Sequence, residues 1–353
     1  MPAARRPTSI CRPLDNEKMS IGYGQIAMIV APTLLRQATR PSPASVGAIL
    51  GFLTVRDEVL RLPAVLEHHR QLGVDQFFIV DNGSSDGTRE FAAEQSDVNL
   101  YSADGSFAES YAGFEWLRPL QDEFASGKWA LTIDADELFI YPHCEQVGLR
   151  DFCGYLDGKG VGAVFSILLD MYSDRMVQDT LYYVGGSLLD ACPYFDPGPY
   201  RIIRGAAFPP FEIRGGPRAR VFWNPDTKFA SPSMSKVPLV RWRPGYRYVC
   251  AQHFMHADAV LSEITGALLH FKFLYDFHER ARREVLRGEH FDGAREYKLY
   301  LQKLDQCDGL TLHYDSSMRF ENSDQLVNCK LMQSSSDYDS FRRETLEKSR
   351  GSN

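Results

Sequence analysis

The sequence lacks an apolar run that could span a bilayer and lacks the cysteine spacing of a metal or disulfide framework. A transmembrane helix needs about 18 apolar residues, and the longest early run, Ile26–Leu35, is shorter and contains Pro32. The seven cysteines are odd in number with no CxxC pair, which favours a reducing compartment. We expect a cytoplasmic protein, with peripheral association at the inner face of the membrane as an open alternative.

An excess of basic charge is also missing. The 353 residues carry a formal net charge of −7, and 24% of them are charged. A nucleic-acid-binding protein normally has a basic face, so we expect no nucleic-acid partner. A nucleotide ligand stays open, because a metal ion can supply the positive charge. A hydrophobic content of 44% is typical of a globular chain with one large domain or two.

The most informative stretch is Lys128–Tyr141, KWALTIDADELFIY. The apolar run Trp129–Ile133 predicts a buried strand, which ends at Asp134, Asp136 and Glu137. Residues two apart in an extended chain point the same way, so both aspartates can face one ion. Carboxylates suit Mg²⁺ or Mn²⁺ with a phosphate as co-ligand. The alternative is a strand that ends at the surface with solvated acids.

The segment before this strand predicts a parallel sheet. Strands are expected at Val46–Val55 and Gln76–Val80, and helices at Leu60–Leu72 and Arg89–Gln95. This βαβα order gives parallel strands with right-handed crossovers. Ligands of such sheets bind beyond the carboxyl ends of the strands. We expect Asp57, Asp81 and Asp134 at that edge.

Several segments together resemble family 2 glycosyltransferases. FFIVDNGSSDGT (77–88) is similar to their IVDDGSxDGT segment, and TIDADE (132–137) is similar to their DxD element. Further segments resemble a bacterial subgroup, namely RDE (56–58), GS (105–106), GGPRARVF (215–222), KVPLVRW (236–242) and LLHFKF (268–273). The resemblance covers residues 46–330. One departure is Asn82, which stands where many members have a second aspartate.

The resemblance implies a GT-A (Rossmann-like) α/β fold, with a mixed, mostly parallel sheet flanked by helices. It implies a metal-dependent, inverting, hexosyltransferase-like enzyme that uses Mn²⁺ or Mg²⁺ and a UDP- or GDP-sugar donor. The acceptor would be a glycan or a lipid-linked molecule, in surface polysaccharide synthesis. We expect an extension at 1–45, a nucleotide-binding half at 46–145, an acceptor half at 146–330 and a frayed polar tail at 331–353.

The resemblance also implies roles for individual residues. Asp136 would be the direct metal ligand, Asp134 would lie near the metal or the ribose, and Asp81 would contact the nucleobase. His270 would complete the metal site, although a histidine between apolar residues is more often a satisfied core residue. The other residues expected at the nucleotide are Arg56, Asp57, Glu58, Asn82, Ser84, Asp86, Gly105, Ser106 and Lys272.

The general base is open between two carboxylates. Asp170 follows the apolar run Gly160–Leu169, which predicts another buried strand. Glu212 precedes the Gly215–Gly216 pair, which permits close backbone approach to a ligand. Either can accept the proton of an acceptor hydroxyl, and we prefer Asp170 because strand ends hold geometry better than loops do. A capping role for Asp170 is equally compatible with the sequence.

Two other functions remain open. A non-catalytic nucleotide-sugar-binding protein would keep the pocket without a base. A phosphatase of the haloacid dehalogenase type also uses a strand followed by DxD, but places it after its first strand. The basic segment Tyr275–Arg287 predicts a helix with either a solvated face or a face that leans on an anionic membrane.

Overall fold

The computed structural model describes residues 32–34, 42–223, 231–249 and 251–351. Most of the expected extension at 1–45 lies outside these ranges, as do Cys11 and Cys250. The helices are α1 (Leu62–Leu72), α2 (Thr88–Glu94), α3 (Phe114–Phe124), α4 (Leu149–Gly158), α5 (Leu188–Ala191), α6 (Gly216–Val221), α7 (Phe277–Arg287), α8 (Phe291–Gln306), α9 (Ser323–Asn328) and α10 (Ser336–Gly351). The strands are β1 (Thr33–Leu34), β2 (Ile49–Val55), β3 (Gln76–Asp81), β4 (Val98–Ser102), β5 (Trp129–Thr132), β6 (Glu137–Ile140), β7 (Ala163–Asp170), β8 (Tyr194–Phe195), β9 (Arg201–Arg204), β10 (Phe211–Arg214), β11 (Ser235–Arg241), β12 (Arg247–Val249), β13 (Phe254–His256), β14 (Gly266–His270) and β15 (Met318–Arg319).

The described residues form a nine-stranded central sheet in the order β1-β4-β3-β2-β5-β11-β7-β14-β6. Strands β2 to β5 run parallel, as do β7 and β14. Strand β11 lies antiparallel between β5 and β7, and β6 is an antiparallel edge strand. Helices cover both faces of this sheet, which confirms the predicted α/β fold with a mixed, mostly parallel sheet.

Apolar runs explain why these segments lie in the sheet interior. Every residue of β7 is buried, and only Thr54 in β2 is partly exposed. Runs without polar alternation are typical of parallel strands covered on both faces. Helix α1 returns the chain from β2 to β3 and ends at Gly73, whose φ of 112° supplies the left-handed conformation of a helix terminus.

The sheet topology gathers residues from distant parts of the chain at one edge. The parallel strands β2, β3, β5, β7 and β14 all end there. Strand β11 runs the other way, so it begins at the same edge with Lys236 as its second residue. This edge therefore receives both the ends of the parallel strands and the start of the antiparallel one.

Two expectations of local structure are wrong. The apolar stripe of Tyr111, Phe114 and Leu117 predicts a helix over Phe107–Leu120, but the helix begins only at Phe114. Tyr111, Ala112 and Gly113 all have positive φ and form a turn. The expected frayed tail forms α10. Its Tyr338 is fully buried and packs against Tyr155, which sequence polarity did not indicate.

Candidate functional site

A cleft of about 1460 Å³ lies at this edge of the sheet. The ends of β2, β3, β5 and β14 contribute to its floor, and residues of α7 and α8 form one wall. The hairpin β9–β10 and strand β13 line another part of it. Of the sequence-predicted site residues, it brings together Arg56, Glu58, Asn82, Asp134, Asp136, Glu212, His270 and Lys272.

Asp136 is the centre of a cationic cluster. Its side chain is buried, and Oδ2 lies 3.5 Å from Nε2 of His270 and 3.6 Å from Nη1 of Arg280. Burial raises the pKa of Asp136, but His270, Arg280 and Lys272 outweigh this effect and hold the pKa well below its usual range. The carboxylate therefore stays ionised among these groups, of which Arg280 also pairs with Glu58 and His270 with Asp170.

Asp170 fixes the orientation of two of the neighbouring cations. Its Oδ1 accepts a hydrogen bond from Nδ1 of His270 at 2.6 Å, and its Oδ2 accepts one from Nε of Arg218 at 2.8 Å. The side chain has no exposed surface and does not line the cleft. Each oxygen thus accepts from a donor and neither is exposed to the cleft, an arrangement that suits a positioning residue better than a base that meets an acceptor hydroxyl. The geometry disfavours our preferred base.

The first aspartate of the DxD element has a different partner. Nζ of Lys236 lies 3.0 Å from Oδ2 of Asp134 and 3.0 Å from Oε1 of Glu137. Burial, followed by the charge of Asp134, raises the pKa of Glu137 to about 7. Lys236 belongs to the KVPLVRW motif, but nothing in the spacing of that motif predicted its contact with a residue about a hundred positions away.

The cleft offers two candidate ligands for a metal ion, and the described residues supply no third beside them. Within the described ranges, no group of three or more His, Cys, Asp or Glu side chains is arranged to hold a metal. Asp136 and His270 nevertheless present an oxygen and a nitrogen 3.5 Å apart, which is a separation that two ligands of one ion can have. The contact of Nδ1 with Asp170 is the outer-shell support typical of metal-binding histidines. Asp134 is not grouped with this pair among the described residues, and Lys236 donates to its Oδ2.

The glycine-containing turn after β3 is held by hydrogen bonds to its own and neighbouring residues, and of its expected site residues only Asn82 lines the cleft. Asp81 has no exposed surface, and Oδ2 accepts from Nε of Arg89 at 2.9 Å. Ser84 accepts from the backbone N–H of Asp57, and Asp86 accepts from the N–H of Thr88. Of the expected nucleotide-binding residues, the cleft lining does not include Asp57, Asp81, Ser84, Asp86, Gly105 and Ser106.

The basic helix α7 turns two of its arginines into the cleft. Arg280 bonds to Glu58 and lies beside Asp136. Nη2 of Arg287 donates to Oδ1 of Asn82 at 2.8 Å, and its guanidinium lies 5.5 Å from the Phe107 ring. The expectation of a face that is only solvated, or only directed to a membrane, is wrong for these two residues. Sequence reasoning missed them because a dense run of arginines gives no indication of which ones face inward.

Glu212 belongs to strand β10 of the hairpin. It is largely buried and lines the cleft, and Nη2 of Arg214 lies 2.8 Å from its Oε1. Its neighbour Ile213 receives a hydrogen bond from Met234 and donates one to Ser235, which precedes Lys236. The hairpin is therefore anchored one residue away from the lysine that holds the DxD element.

Comparisons with known proteins add little. No protein-family profile matches the chain, and no curated protein matches it. Mannosyltransferase PcManGT from Pyrobaculum calidifontis, in complex with GDP-Man and Mn²⁺, is 19% identical over 38% of this chain and 39% of its own, with a TM-score of 0.26. A 4-diphosphocytidyl-2C-methyl-D-erythritol synthase is 16% identical over 38% of this chain and 64% of its own, with a TM-score of 0.25.

The UTP-bound UGPase from Acinetobacter baumannii is 10% identical over 74% of this chain and 84% of its own, with a TM-score of 0.28. This chain thus spans less than two thirds of the mannosyltransferase and of the synthase. Similarity at these scores carries no argument about activity, which has to come from the site itself. Among the described helices, none combines the length and apolar character needed to cross a membrane.

Proposed function

We propose that this protein is a glycosyltransferase that uses a UDP- or GDP-sugar donor and a divalent metal, Mn²⁺ or Mg²⁺. The observation that carries this proposal is the cluster around the buried Asp136, where Nε2 of His270 and Nη1 of Arg280 lie 3.5 Å and 3.6 Å from Oδ2 and Lys272 is near. This cluster lies at the carboxyl edge of parallel strands, where nucleotides bind in open α/β sheets. A sugar nucleotide offers the diphosphate that the charges of Arg280 and Lys272 match.

Different residues of the cleft bind different parts of the donor complex. Asp136 and Nε2 of His270 would bind the metal ion, whose other ligands would include diphosphate oxygens. When bound, the ion offsets the charge that develops on the leaving nucleoside diphosphate. Arg280 and Lys272 lie beside Asp136 and bind the diphosphate directly. Asp170 keeps the imidazole of His270 turned so that Nε2 faces the ligand.

Glu212 is the general base in this proposal. The oxygen of the acceptor hydroxyl attacks the anomeric carbon, the bond from that carbon to the diphosphate breaks, and the hydroxyl proton passes to Glu212. One direct displacement of this kind inverts the configuration of the sugar. Glu212 lines the cleft, whereas both oxygens of Asp170 are engaged. Arg214 holds the carboxylate in place.

The decisive experiment measures nucleotide binding and donor turnover with and without metal. UDP, GDP and a panel of their sugar conjugates are tested by thermal shift in Mn²⁺ and in EDTA. Asp136→Asn and Asp134→Asn are a matched pair, because both remove one charge from the same turn. We expect Asp136→Asn to abolish the Mn²⁺-dependent part of binding and Asp134→Asn to preserve it.

Three outcomes separate the functions under comparison. Metal-dependent binding followed by transfer or slow hydrolysis of one sugar nucleotide supports the enzyme. The same binding with no turnover of any donor indicates a nucleotide-sugar-binding protein without catalysis. If no nucleotide raises the melting temperature in Mn²⁺, or if both variants keep the metal-dependent shift, the assignment of the site is wrong.

A further inference from the structure

Asp81, the residue expected to contact the nucleobase, is enclosed in its own turn. Its side chain has no exposed surface and does not line the cleft. Oδ2 accepts hydrogen bonds from Nε and Nη2 of Arg89, and Oδ1 accepts one from the backbone N–H of Ser84. Both oxygens therefore hold the turn after β3 together. If a nucleotide binds in the cleft, another residue has to contact its base.

The neighbouring Asn82 lines the cleft, but its amide group already has protein partners. Nδ2 donates to the carbonyl oxygens of Ala103 and Gly105 at 2.9 Å and 3.3 Å, and Oδ1 accepts from Nη2 of Arg287 at 2.8 Å. The side chain thus joins the segment after β4 to helix α7. It also explains why asparagine suits this position, because two carbonyl oxygens require N–H donors, which an ionised aspartate lacks.

Arg287 is the residue that Asn82 holds at the cleft, and it keeps donors without acceptors. Its guanidinium lies 5.5 Å from the Phe107 ring, within the range of a cation–π contact. Nε is buried and has no hydrogen-bond partner among the described residues. Nη1 lies 3.7 Å from Oε2 of Glu284, which is longer than a hydrogen bond. Because a buried donor without an acceptor is costly, this guanidinium suits a ligand that brings acceptors.

Helix α7 places this arginine at a suitable distance from the diphosphate residues. Arg280 and Arg287 both line the cleft from α7 and are separated by about two helical turns, or about 10 Å along the axis. Arg280 lies beside Asp136, whereas Arg287 lies beside Asn82 and Phe107. A nucleoside diphosphate with its diphosphate at Arg280 can therefore extend along α7 and present its base to Arg287.

We infer that Arg287 binds the nucleobase of the donor and selects bases that present a carbonyl oxygen to it. Uracil and guanine have such an oxygen at O4 and O6, where cytosine and adenine have an amino group. The amino group would place a donor against the donors of the guanidinium. This inference rests on the proposed glycosyltransferase function. It moves the contact with the base from Asp81, for which the resemblance implied it, to a residue of α7.

Matched nucleotides test the inference on the unaltered protein. UDP and CDP differ chiefly in the exchange of a carbonyl oxygen for an amino group, GDP and ADP differ in the same exchange, and inorganic pyrophosphate has no base. Titration calorimetry with Mn²⁺ at saturation measures the Kd of each. We expect UDP to bind at least about 10-fold more tightly than CDP, or GDP than ADP, because one hydrogen bond to a charged group is lost.

Three variants of α7 assign the effect to one side chain. Arg287→Gln should weaken the preferred nucleotide by about 10-fold or more and abolish the preference within its pair, since a glutamine amide can both donate and accept. Its unchanged affinity for pyrophosphate shows that the rest of the site is intact. Arg280→Gln should weaken nucleotides and pyrophosphate alike. Arg282→Gln removes an exposed arginine outside the cleft lining and should bind every probe as the wild type does.

The outcomes separate this inference from the function beneath it. If nucleotides bind in Mn²⁺ but UDP equals CDP and GDP equals ADP, the assignment of the base contact is wrong and the diphosphate site stands. The same conclusion follows if Arg287→Gln keeps the preference, or if Arg282→Gln weakens binding as much as Arg287→Gln does. If neither pyrophosphate nor any nucleotide binds in Mn²⁺, the proposed function itself is rejected.

Discussion

Replacing Asp170 with asparagine separates a positioning role from a base role. Both groups that Asp170 contacts are donors, namely Nδ1 of His270 and Nε of Arg218. Asparagine offers one oxygen and one NH₂ group, so one of the two donors must face another donor. The substitution also removes the charge that pairs with Arg218, which is buried and, among the described residues, otherwise pairs with Glu296 at 3.3 Å.

The magnitude follows from the burial of this pair. Breaking a buried ion pair by removing one partner costs about 3–5 kcal/mol, and we expect Asp170→Asn to lose about that much free energy of unfolding. Urea denaturation monitored by fluorescence measures it, and Asp174→Asn, an exposed carboxylate just beyond the strand, should change the free energy by less than about 0.5 kcal/mol. A loss of Mn²⁺-dependent nucleotide binding should accompany the main variant, because His270 is no longer oriented.

The opposite pattern would contradict this reasoning. If Asp170→Asn unfolds at the wild-type urea concentration, binds nucleotide normally and loses only sugar transfer, then Asp170 is the base and its two contacts are incidental. Stability is therefore the readout that separates the two roles, since a missing base leaves the folded state intact.

Two further predictions concern Glu212 and His253. Glu212→Gln should lower transfer by about 10²–10⁴-fold, the usual range for general base catalysis, with unchanged affinity for GDP or UDP in Mn²⁺; near-wild-type transfer would remove Glu212 from this role. Burial, followed by the charge of Lys236, lowers the pKa of His253 to about 3, so the unfolded chain binds the extra proton first as pH falls below 6.5. The contribution of this neutral imidazole to the free energy of unfolding is complete above pH 6.5. It is lost as the pH falls toward 3, and the free energy of unfolding then changes by up to about 1.4 kcal/mol per pH unit. His253→Asn should lack that slope in urea denaturation at pH 7, 5 and 4, and parallel curves for the two proteins would show that His253 carries no such linkage.

The sheet was predictable where the sequence alone determines burial. The continuous apolar runs of β2, β3, β5 and β7 can satisfy their backbone groups only inside a sheet covered on both sides. Because helices connect these parallel strands, the residues that follow each strand lie at the same edge of the sheet. The segments around Asp57, Asp81 and Asp134 accordingly lie near this edge, as expected.

The contacts within the site were not predictable, because they depend on partners far away in the chain. Asp81 and Asp134 both lie near the expected edge. Asp81 is buried in its turn and pairs with Arg89, whereas Asp134 pairs with Lys236. Whether the side chain of Arg280 points toward Asp136 likewise depends on how α7 packs. Hydrophobic periodicity reports which face of an element is buried, and it carries no information about which charges meet there.

The antiparallel position of β11 has a consequence for how acceptor preference can change. Strand β7 ends and β11 begins at the same edge, with Ser235 opposite Ile167, so residues 171–234 leave the sheet and return to it at one place. This connection contains the hairpin β9–β10 and Glu212. It is geometrically equivalent to an enlarged loop, and strand β9 with the hairpin loop is a part of it that can be exchanged without altering the strands of the central sheet. Exchanging residues 201–210 leaves Glu212 and the ion pair of Arg218 with Asp170 in place. This exchange should therefore redirect acceptor choice while the donor half keeps its nucleotide.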